Sequence, residues 1–328
     1  MSHAISGRRR FLAIATSGAV AALLPRASAG AAAPTVRLGY QATLASAVDM
    51  IAIEEKLFAR RGVAVSVHKF DAGRAVRDAM VSSAIDIGAM GAVPFLIGAA
   101  QGEMVGIAID SYFGGLVLLQ VKGNSAIKRI EDLRGTKIGI AVGSLTHSVF
   151  IERVAPAFGL KPGDYQVVNT SFGNMTSTLA AGSVDAVVAL EPYGSLAEHE
   201  GIARTLTSFE KFDPSPNILV ARAAFLRDHE PAVIAALRPW LDAAKIFNED
   251  KARAATIVQR EYERQGYKVP QKVIVSSLER LKVAPEITAD TRKYLVDMAE
   301  SLRRRSQLNQ MPDWNKVLRP DLLPKAIA

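Results

Sequence analysis

A serine and a histidine stand three residues apart in Gly143-Ser144-Leu145-Thr146-His147, directly after the apolar run "KIGIAV". The pair has the atoms of a nucleophile and a base. It also has the atoms of a cradle. Gly143 lets the backbone turn close to a ligand. Ser144 is a plausible N-cap. Leu145, Thr146 and His147 would then point free backbone N–H groups from the positive end of a helix dipole, an arrangement that binds oxyanions. The hydroxyls of Ser144 and Thr146 add donors. An ordinary capped helix with a surface histidine uses the same residues. Catalysis fits less well: a nucleophile elbow reads G-x-S-x-G, whereas this segment reads "VGSLTH", and a triad needs a carboxylate to orient the base.

Other chemistry is thinly represented. The chain has no cysteine, which removes thiolate metal sites, disulfides and cysteine nucleophiles together. Its five histidines, His3, His68, His147, His199 and His229, show no H-x-x-x-H or H-E-x-x-H spacing. There is no P-loop, and "GAMGAVPFLIG" is not a dinucleotide fingerprint. No catalytic residue, metal or cofactor is expected.

The N-terminus carries a different signal. Arg8-Arg9-Arg10 precedes the apolar run Phe11 to Leu24, and Ala27-Ser28-Ala29 has the A-x-A form of a cleavage site. As a helix that run would reach only about 21 Å, short of a hydrocarbon core of roughly 30 Å. Residues 1–29 are therefore expected to be an export signal, and "RRRFL" resembles the twin-arginine type. The net charge of +8 includes Arg8, Arg9, Arg10 and Arg26 with no acid beside them, so cleavage leaves +4. The remaining basic residues are scattered among acids, apart from the short "SLRRRSQL". Nucleic acid is not an expected partner; a small anion suits the modestly basic surface better.

The 328 residues suffice for two domains, and 49% hydrophobic residues can fill their cores. "TVRLGY" alternates as a strand, and "SAVDMIAIEEKLFARRG" is a helix with Met50, Ile53 and Leu57 on one face and Gly62 as its stop. "VAVSVHKF", "IDIGAM" and "MVGIAI" are further strands. "RAVRDAMVSS" is a helix turning Val76, Ala79 and Met80 inward, and another starts near Pro94. Strands alternating with helices predict α/β layers with largely parallel pairing. An internal echo follows: Arg37 to Tyr40 lies 100 residues before Lys137 to Ile140, Gly73 lies 100 before Gly173, and Asp86 stands opposite Asp185. Such a period is too long for a solenoid and fits two like lobes. Turn-formers in "SYFGG" and "DPSPN" mark two crossings, dividing the chain into lobe 1 (34–112 and 217–328) and lobe 2 (113–216). The segments from Phe225 onward are mostly helical in period, and the final "MPDWNKVLRPDLLPKAIA" reads as an irregular tail.

Ligands of open α/β sheets sit beyond the carboxyl ends of the strands. The candidate ligand-binding residues are therefore Tyr40, Gln41 and Ala92 from lobe 1, and Ser144, Thr146, His147, Phe172, Asn174, Glu191 and Tyr193 from lobe 2. Glu191 ends an apolar strand, where it could receive an amine or brace a loop. Arg74 reads more simply as a solvated helix-start residue than as an anion partner.

An ordered series of motifs, "VRLGYQ", "EEKLFARRGVAV", "SSAIDIGAMGAVP", "IKRIEDLRGTKIGIAVGSLTH", "AAGSVDAVVALEPY" and "NILVARAAFLRDHEPAV", resembles the nitrate/sulfonate/taurine-type periplasmic substrate-binding proteins. The wider group includes thiamine-pyrimidine synthase-like proteins. The resemblance spans essentially the whole mature chain. It implies the two-lobed type II binding fold with a ligand cleft between α/β lobes, a periplasmic location and monomeric state, and the membrane permease of an ABC importer as partner. Carried over by position, it assigns Tyr40, Gln41, Ser144, Thr146, His147, Glu191 and Tyr193 to the pocket. Many sulfonate binders read W-D-P-Y where this chain reads Ala189-Leu190-Glu191-Pro192-Tyr193, so an aliphatic sulfonate is one candidate among sulfonate, taurine, nitrate and aromatic carboxylate. An exported hydrolase or lyase on the same scaffold, or a binder of a pyrimidine-type thiamine precursor, is the alternative. Related enzymes use cysteines that this chain lacks.

Overall fold

The computed structural model describes residues 33–328; the expected export signal lies outside the described residues. The chain forms two five-stranded sheets. The first contains β1 (Val36–Gln41), β2 (Val65–Phe70), β3 (Ile87–Gly91), β4 (Met104–Tyr112) and β10 (Pro216–Arg222), in the order β2-β1-β3-β10-β4. The second contains β5 (Val117–Lys122), β6 (Lys137–Ile140), β7 (Gln166–Asn169), β8 (Ala186–Leu190) and β9 (Ala203–Ser208), in the order β7-β6-β8-β5-β9. The orders are the same once β6 to β9 are laid on β1 to β4 and β5 on β10.

The sequence echo thus has a physical form. Each copy starts with the same lock. The Arg37 N–H donates to Asp86 Oδ2 (3.1 Å) while the Asp86 N–H donates to the Arg37 carbonyl (2.8 Å). In the second copy Lys137 and Asp185 exchange the equivalent bonds, both at 2.8 Å. One carboxylate thereby fixes where the first strand meets the third.

Pairing is mixed rather than largely parallel. β1 lies parallel to β2 and β3, and β6 to β7 and β8, but β10 and β5 run antiparallel to both their neighbours. The reason is the crossing itself. Parallel strands run toward the cleft, whereas β5 and β10 enter their sheets from it and must run away. Both sheets are covered on both faces, so β3 and β8 are buried throughout.

In lobe 1 the covering helices are α1 (Ala47–Glu54), α2 (Leu57–Arg60), α3 (Gly73–Val81) and α4 (Ala92–Ala100). The single helix predicted through Leu57 is broken, because Lys56 takes a left-handed conformation (φ 53°) between α1 and α2. In lobe 2, α5 (Leu145–Val149) continues through a π-helical turn, Phe150–Val154, into α6 (Ala155–Ala157). Then come α7 (Met175–Ala180) and α8 (Tyr193–His199). After β10 the chain is helical: α9 (Ala223–Glu249), kinked at His229 just before Pro231, then α10 (Lys251–Arg264), α11 (Gln271–Glu279) and α12 (Ala289–Arg304). The tail is more regular than its prolines suggest. Arg319 and Val317 bond to both backbone groups of Gly106 in β4, and Leu322, Leu323 and Ala326 are buried by α13 (Leu322–Ile327).

The two crossings lie side by side. The Phe113 N–H donates to Ser215 O (3.1 Å) and the Gly114 N–H to Pro214 O (3.2 Å). A Cβ on Gly114 would fall 2.1 Å from the Asp213 carbonyl, so no larger residue fits without moving backbone. Beneath the cleft, Asp49 of α1 and Asp110 of β4 are fully buried near one another, with Ser46 and Trp240 beside Asp49. Burial pushes both carboxyls up, Asp110 to about 7, and each raises the cost of ionising the other.

Gly114→Ala is expected to cost about 1–3 kcal/mol of stability, read as a lower urea midpoint. The carboxyl pair generates a pH effect. Above about pH 4 an unfolded aspartate releases its proton, but the folded pair keeps its protons longer, so stability falls as pH rises from about 4 toward 7. Asp49→Asn should flatten that slope when urea midpoints are compared across the window; an unchanged slope would dismiss the pair as its source.

Candidate functional site

Where the carboxyl ends of the two sheets face each other they enclose a cavity of about 330 Å³. Lobe 1 contributes the end of β1 (Gln41 with Thr43 and Ala45), the β2–α3 turn (Asp71 to Ala75) and the start of α4 (Gly91, Pro94). Lobe 2 contributes Ala141, Val142, Ser144, Leu145 and Thr146 after β6, Asn169 to Phe172 after β7, and Leu190 at the end of β8. Phe113 closes the hinge side. The walls are apolar with polar groups set among them, the usual make-up of a small-molecule site.

The segment that begins the second copy's first helix is built as an N-terminus. Gly143 has φ +80°, a conformation that favours glycine. Ser144 Oγ accepts the His147 N–H (3.2 Å) and donates to the Ala141 carbonyl (2.6 Å). Its hydrogen is therefore used within the protein. The Thr146 hydroxyl lies 2.8 Å from Ser144 Oγ and lines the cavity. His147 turns away from the cavity. Its Nδ1 stands 3.5 Å from the Gly143 N–H, and burial together with the Arg305 guanidinium lowers its pKa, so the imidazole is neutral.

Of the ten residues singled out from sequence, Gln41, Ser144, Thr146 and Phe172 line the cavity, and six do not. Tyr40 points to the opposite face of β1 from Gln41 and donates to Glu261 of α10 (3.0 Å). Ala92 is buried one position past the lining Gly91. Asn174 precedes α7, where its carbonyl accepts the hydroxyls of Ser177 and Thr178 (3.0 and 2.7 Å). Glu191 is completely buried and accepts the Ser195 N–H (2.9 Å), the Ser195 hydroxyl (2.6 Å) and the Arg280 guanidinium (2.8 Å), so it braces lobe 2 against the segment after α11. Tyr193 packs edge-on against Tyr262 and Tyr267, with centroids 5.8 and 4.9 Å away.

Several lining residues were missed. Asn169 is the last residue of β7, where the strand-end argument should have found it; the short "VVN" run hid the strand's end. Phe113 sits in a crossing and carried only a turn signal. Arg74 is exposed as expected of a helix start, yet it lines the cavity and reaches across the cleft to donate to the Val142 carbonyl (3.2 Å). Gly91 of lobe 1 also packs against Leu145 of lobe 2: a Cβ there would lie 3.1 Å from that of Leu145. Both contacts bridge the lobes.

Among relatives, the taurine-binding periplasmic protein of Escherichia coli (strain K12) is 26% identical over 242 residues, 72% of this chain and 73% of that protein. Among solved structures, the alkanesulfonate-binding protein SsuA from Xanthomonas axonopodis pv. citri, bound to MOPS, superposes with a TM-score of 0.77 at 22% identity, covering 88% of this chain and 99% of that one. The periplasmic nitrate-binding protein NrtA from Synechocystis PCC 6803 superposes with a TM-score of 0.74 at 18% identity, covering 90% and 88%. The fold is the two-lobed periplasmic binding protein fold that the sequence resemblance implied. The model of the NMT1-like family matches residues 29–260, and with two like sheets closed on one cleft the chain belongs to that family.

Proposed function

We propose that this protein is the solute-binding component of an ABC importer, capturing a small organic anion between two closing lobes and performing no chemistry on it. The observation that carries the reading is the cavity itself: about 330 Å³, shut between the carboxyl ends of two like sheets, with donors from both walls. Arg74 is the cation among the lining residues, and Ser171 and the Asn169 amide add neutral donors, whereas the Thr146 hydroxyl donates to Ser144 Oγ and leaves an acceptor. Ser144 serves the site as a cap, through the Thr146 hydroxyl it holds. The names of the relatives, taurine-, alkanesulfonate- and nitrate-binding, share a small oxyanion group.

In this reading residues 1–29 direct export to the periplasm by the twin-arginine route and are removed. Lobe 1 (34–112 and 217–328) and lobe 2 (113–216) move as bodies about the paired crossings, and the closed form delivers its ligand to the membrane permease. The receptor acts as a monomer. Closure needs flat energetics between open and shut forms, so that differential binding of the ligand sets the balance. The contacts that bridge the lobes at the cavity mouth are partly exposed, as Arg74 to Val142 illustrates. An enzyme on this scaffold would need an oriented nucleophile and base in the cavity. Ser144 has its proton committed to Ala141 and His147 faces elsewhere.

Calorimetry of the mature protein against sulfonates, taurine, nitrate and aromatic carboxylates should find at least one that binds and is recovered unaltered; turnover of a bound compound would sink the receptor reading. Arg74→Ala should weaken the bound anion about tenfold and reduce the salt dependence of its affinity. Equal affinity and equal salt dependence would remove Arg74 from the site.

A further inference from the structure

Behind the lobe-1 wall of the cavity lies a buried polar cluster. Asp49 of α1 and Asp110 of β4 are neighbours there, with Ser46 before α1, Ser111 of β4, Asn217 of β10 and Trp240 of α9 around them. Both Asp49 oxygens, Asp110 Oδ1, the Ser46 hydroxyl and the Trp240 indole N–H make no well-formed hydrogen bond within the described residues. No described lysine, arginine or histidine pairs with either carboxyl. The ionisable group that faces Asp49 from β1 is Tyr40, whose hydroxyl donates to Glu261 of α10 (3.0 Å), and Glu261 is paired with Arg264 (2.7 Å). Two adjacent buried carboxyls without a counter-ion strongly disfavour the doubly ionised state. Burial pushes Asp110 up to about 7 and holds Asp49 well above an ordinary aspartate, so the pair gains charge as pH passes neutrality.

Two amides connect that charge to the cavity. Asn217 Nδ2 lies 2.9 Å from Asp110 Oδ2 and 3.4 Å from the Ala45 carbonyl, so its nitrogen faces the carboxyl. Its Oδ1 is 3.3 Å from Gln41 Nε2, which also donates to the Ala89 carbonyl (3.2 Å). Gln41 lines the cavity beside Asp71 and Arg74. Each amide thus turns its positive end toward Asp110 and its negative end toward the cavity. Ionised Asp110 strengthens this order, because a charged acceptor holds an N–H donor more tightly than a neutral one. An anion in the cavity meets two effects of the same sign. The buried charge repels it through a wall of low dielectric, and the ordered amides show it oxygen. A proton on the pair removes the charge and loosens the order.

We propose that the Asp49–Asp110 pair is a proton switch for the cleft: binding of an anion draws a proton from solvent onto the pair, so affinity rises as pH falls through neutrality. This rests on the reading of the cavity as an anion site. Asp110 touches no ligand; it is a positioning residue that acts through Asn217 and Gln41. The sign follows from linkage. An anion in the cavity favours the protonated pair, and a protonated pair therefore favours the anion by the same factor.

The test is calorimetry of the mature protein with nitrate, ethanesulfonate, benzenesulfonate and benzoate, which all stay ionised between about pH 6 and pH 8. Repeating each titration in buffers of different ionisation enthalpy counts the protons taken up. An anion that binds should do so about fivefold or more tightly at about pH 6 than at about pH 8, with net proton uptake. Asp110→Asn should bind at the higher pH as tightly as the unaltered protein does at the lower one, and lose most of the uptake. Asp49→Asn relieves the repulsion within the pair and should move the uptake to lower pH, which keeps the test open if Asp110→Asn fails to fold. His147→Gln should leave the uptake in place. Affinity independent of pH, uptake that neither aspartate variant changes, or uptake lost in His147→Gln overturns the switch while leaving the anion reading intact. Binding by none of the acids, in this set and in the broader panel, overturns both.

Discussion

The chain must pass between its two sheets twice, and both passages must lie together. Everything else follows from that constraint. Because β4 and β9 run toward the cleft and β5 and β10 run away from it, the two crossings are short, and they meet through Phe113 to Ser215 and Gly114 to Pro214. Asp213 pins this junction by accepting the Ser215 N–H (2.6 Å), the Ser215 hydroxyl (2.9 Å) and the Tyr294 hydroxyl (2.8 Å), with the Arg153 guanidinium 3.0 Å away. Tyr294 comes from α12 and Arg153 from the π-helical turn of lobe 2. One buried carboxylate thus shapes the second crossing and ties it to an element from each side. Two sheets joined by this pair of crossings face each other across a single cleft at their carboxyl ends.

Reuse of one unit explains why the cleft has two walls of the same plan. Asp86 and Asp185 set the first strand of each copy in the same way, so the loops after β1 and β6 meet face to face. What differs is the side chain at each strand end and the partner that orients it. Gln41 is turned by two acceptors, and Asn169 is turned by a donor. Neither amide chooses its own direction. In a cavity with few charges, that direction sets which polar atom each strand end presents.

Much of this was legible in the sequence because it rests on local pattern. The alternation in "TVRLGY", the helical spacing through Val76 and Met80, and the 100-residue echo all report which face of an element is buried, and burial is what built these elements. What was not legible depends on partners distant along the chain. Glu191 looked like a cleft residue because it ends an apolar strand, but Arg280 and Ser195 claim it. Tyr40 and Gln41 are neighbours in sequence, yet strand alternation sends one to Glu261 and the other to the cavity. Antiparallel β5 and β10 were missed since strand direction is fixed by where the chain comes from, which no local pattern records.

The contacts between lobes divide into two kinds, and the division bears on how such a molecule can respond to a ligand. Some lie away from the cavity and are buried or half-buried on at least one side: Glu191 with Arg280, Tyr193 with Tyr262 and Tyr267, and Glu152 of the π-helical turn with Arg305 and Ser301 near the end of α12. These fix how far the lobes can approach, because a buried charge that loses its partner is costly. Others lie at the cavity mouth and are weak: one guanidinium on a carbonyl, one glycine against a leucine. A surface contact of that kind contributes little by itself. Strong contacts that set the geometry and weak ones that meet at the mouth leave the last part of the balance to whatever fills the cavity between Gln41 and Asn169.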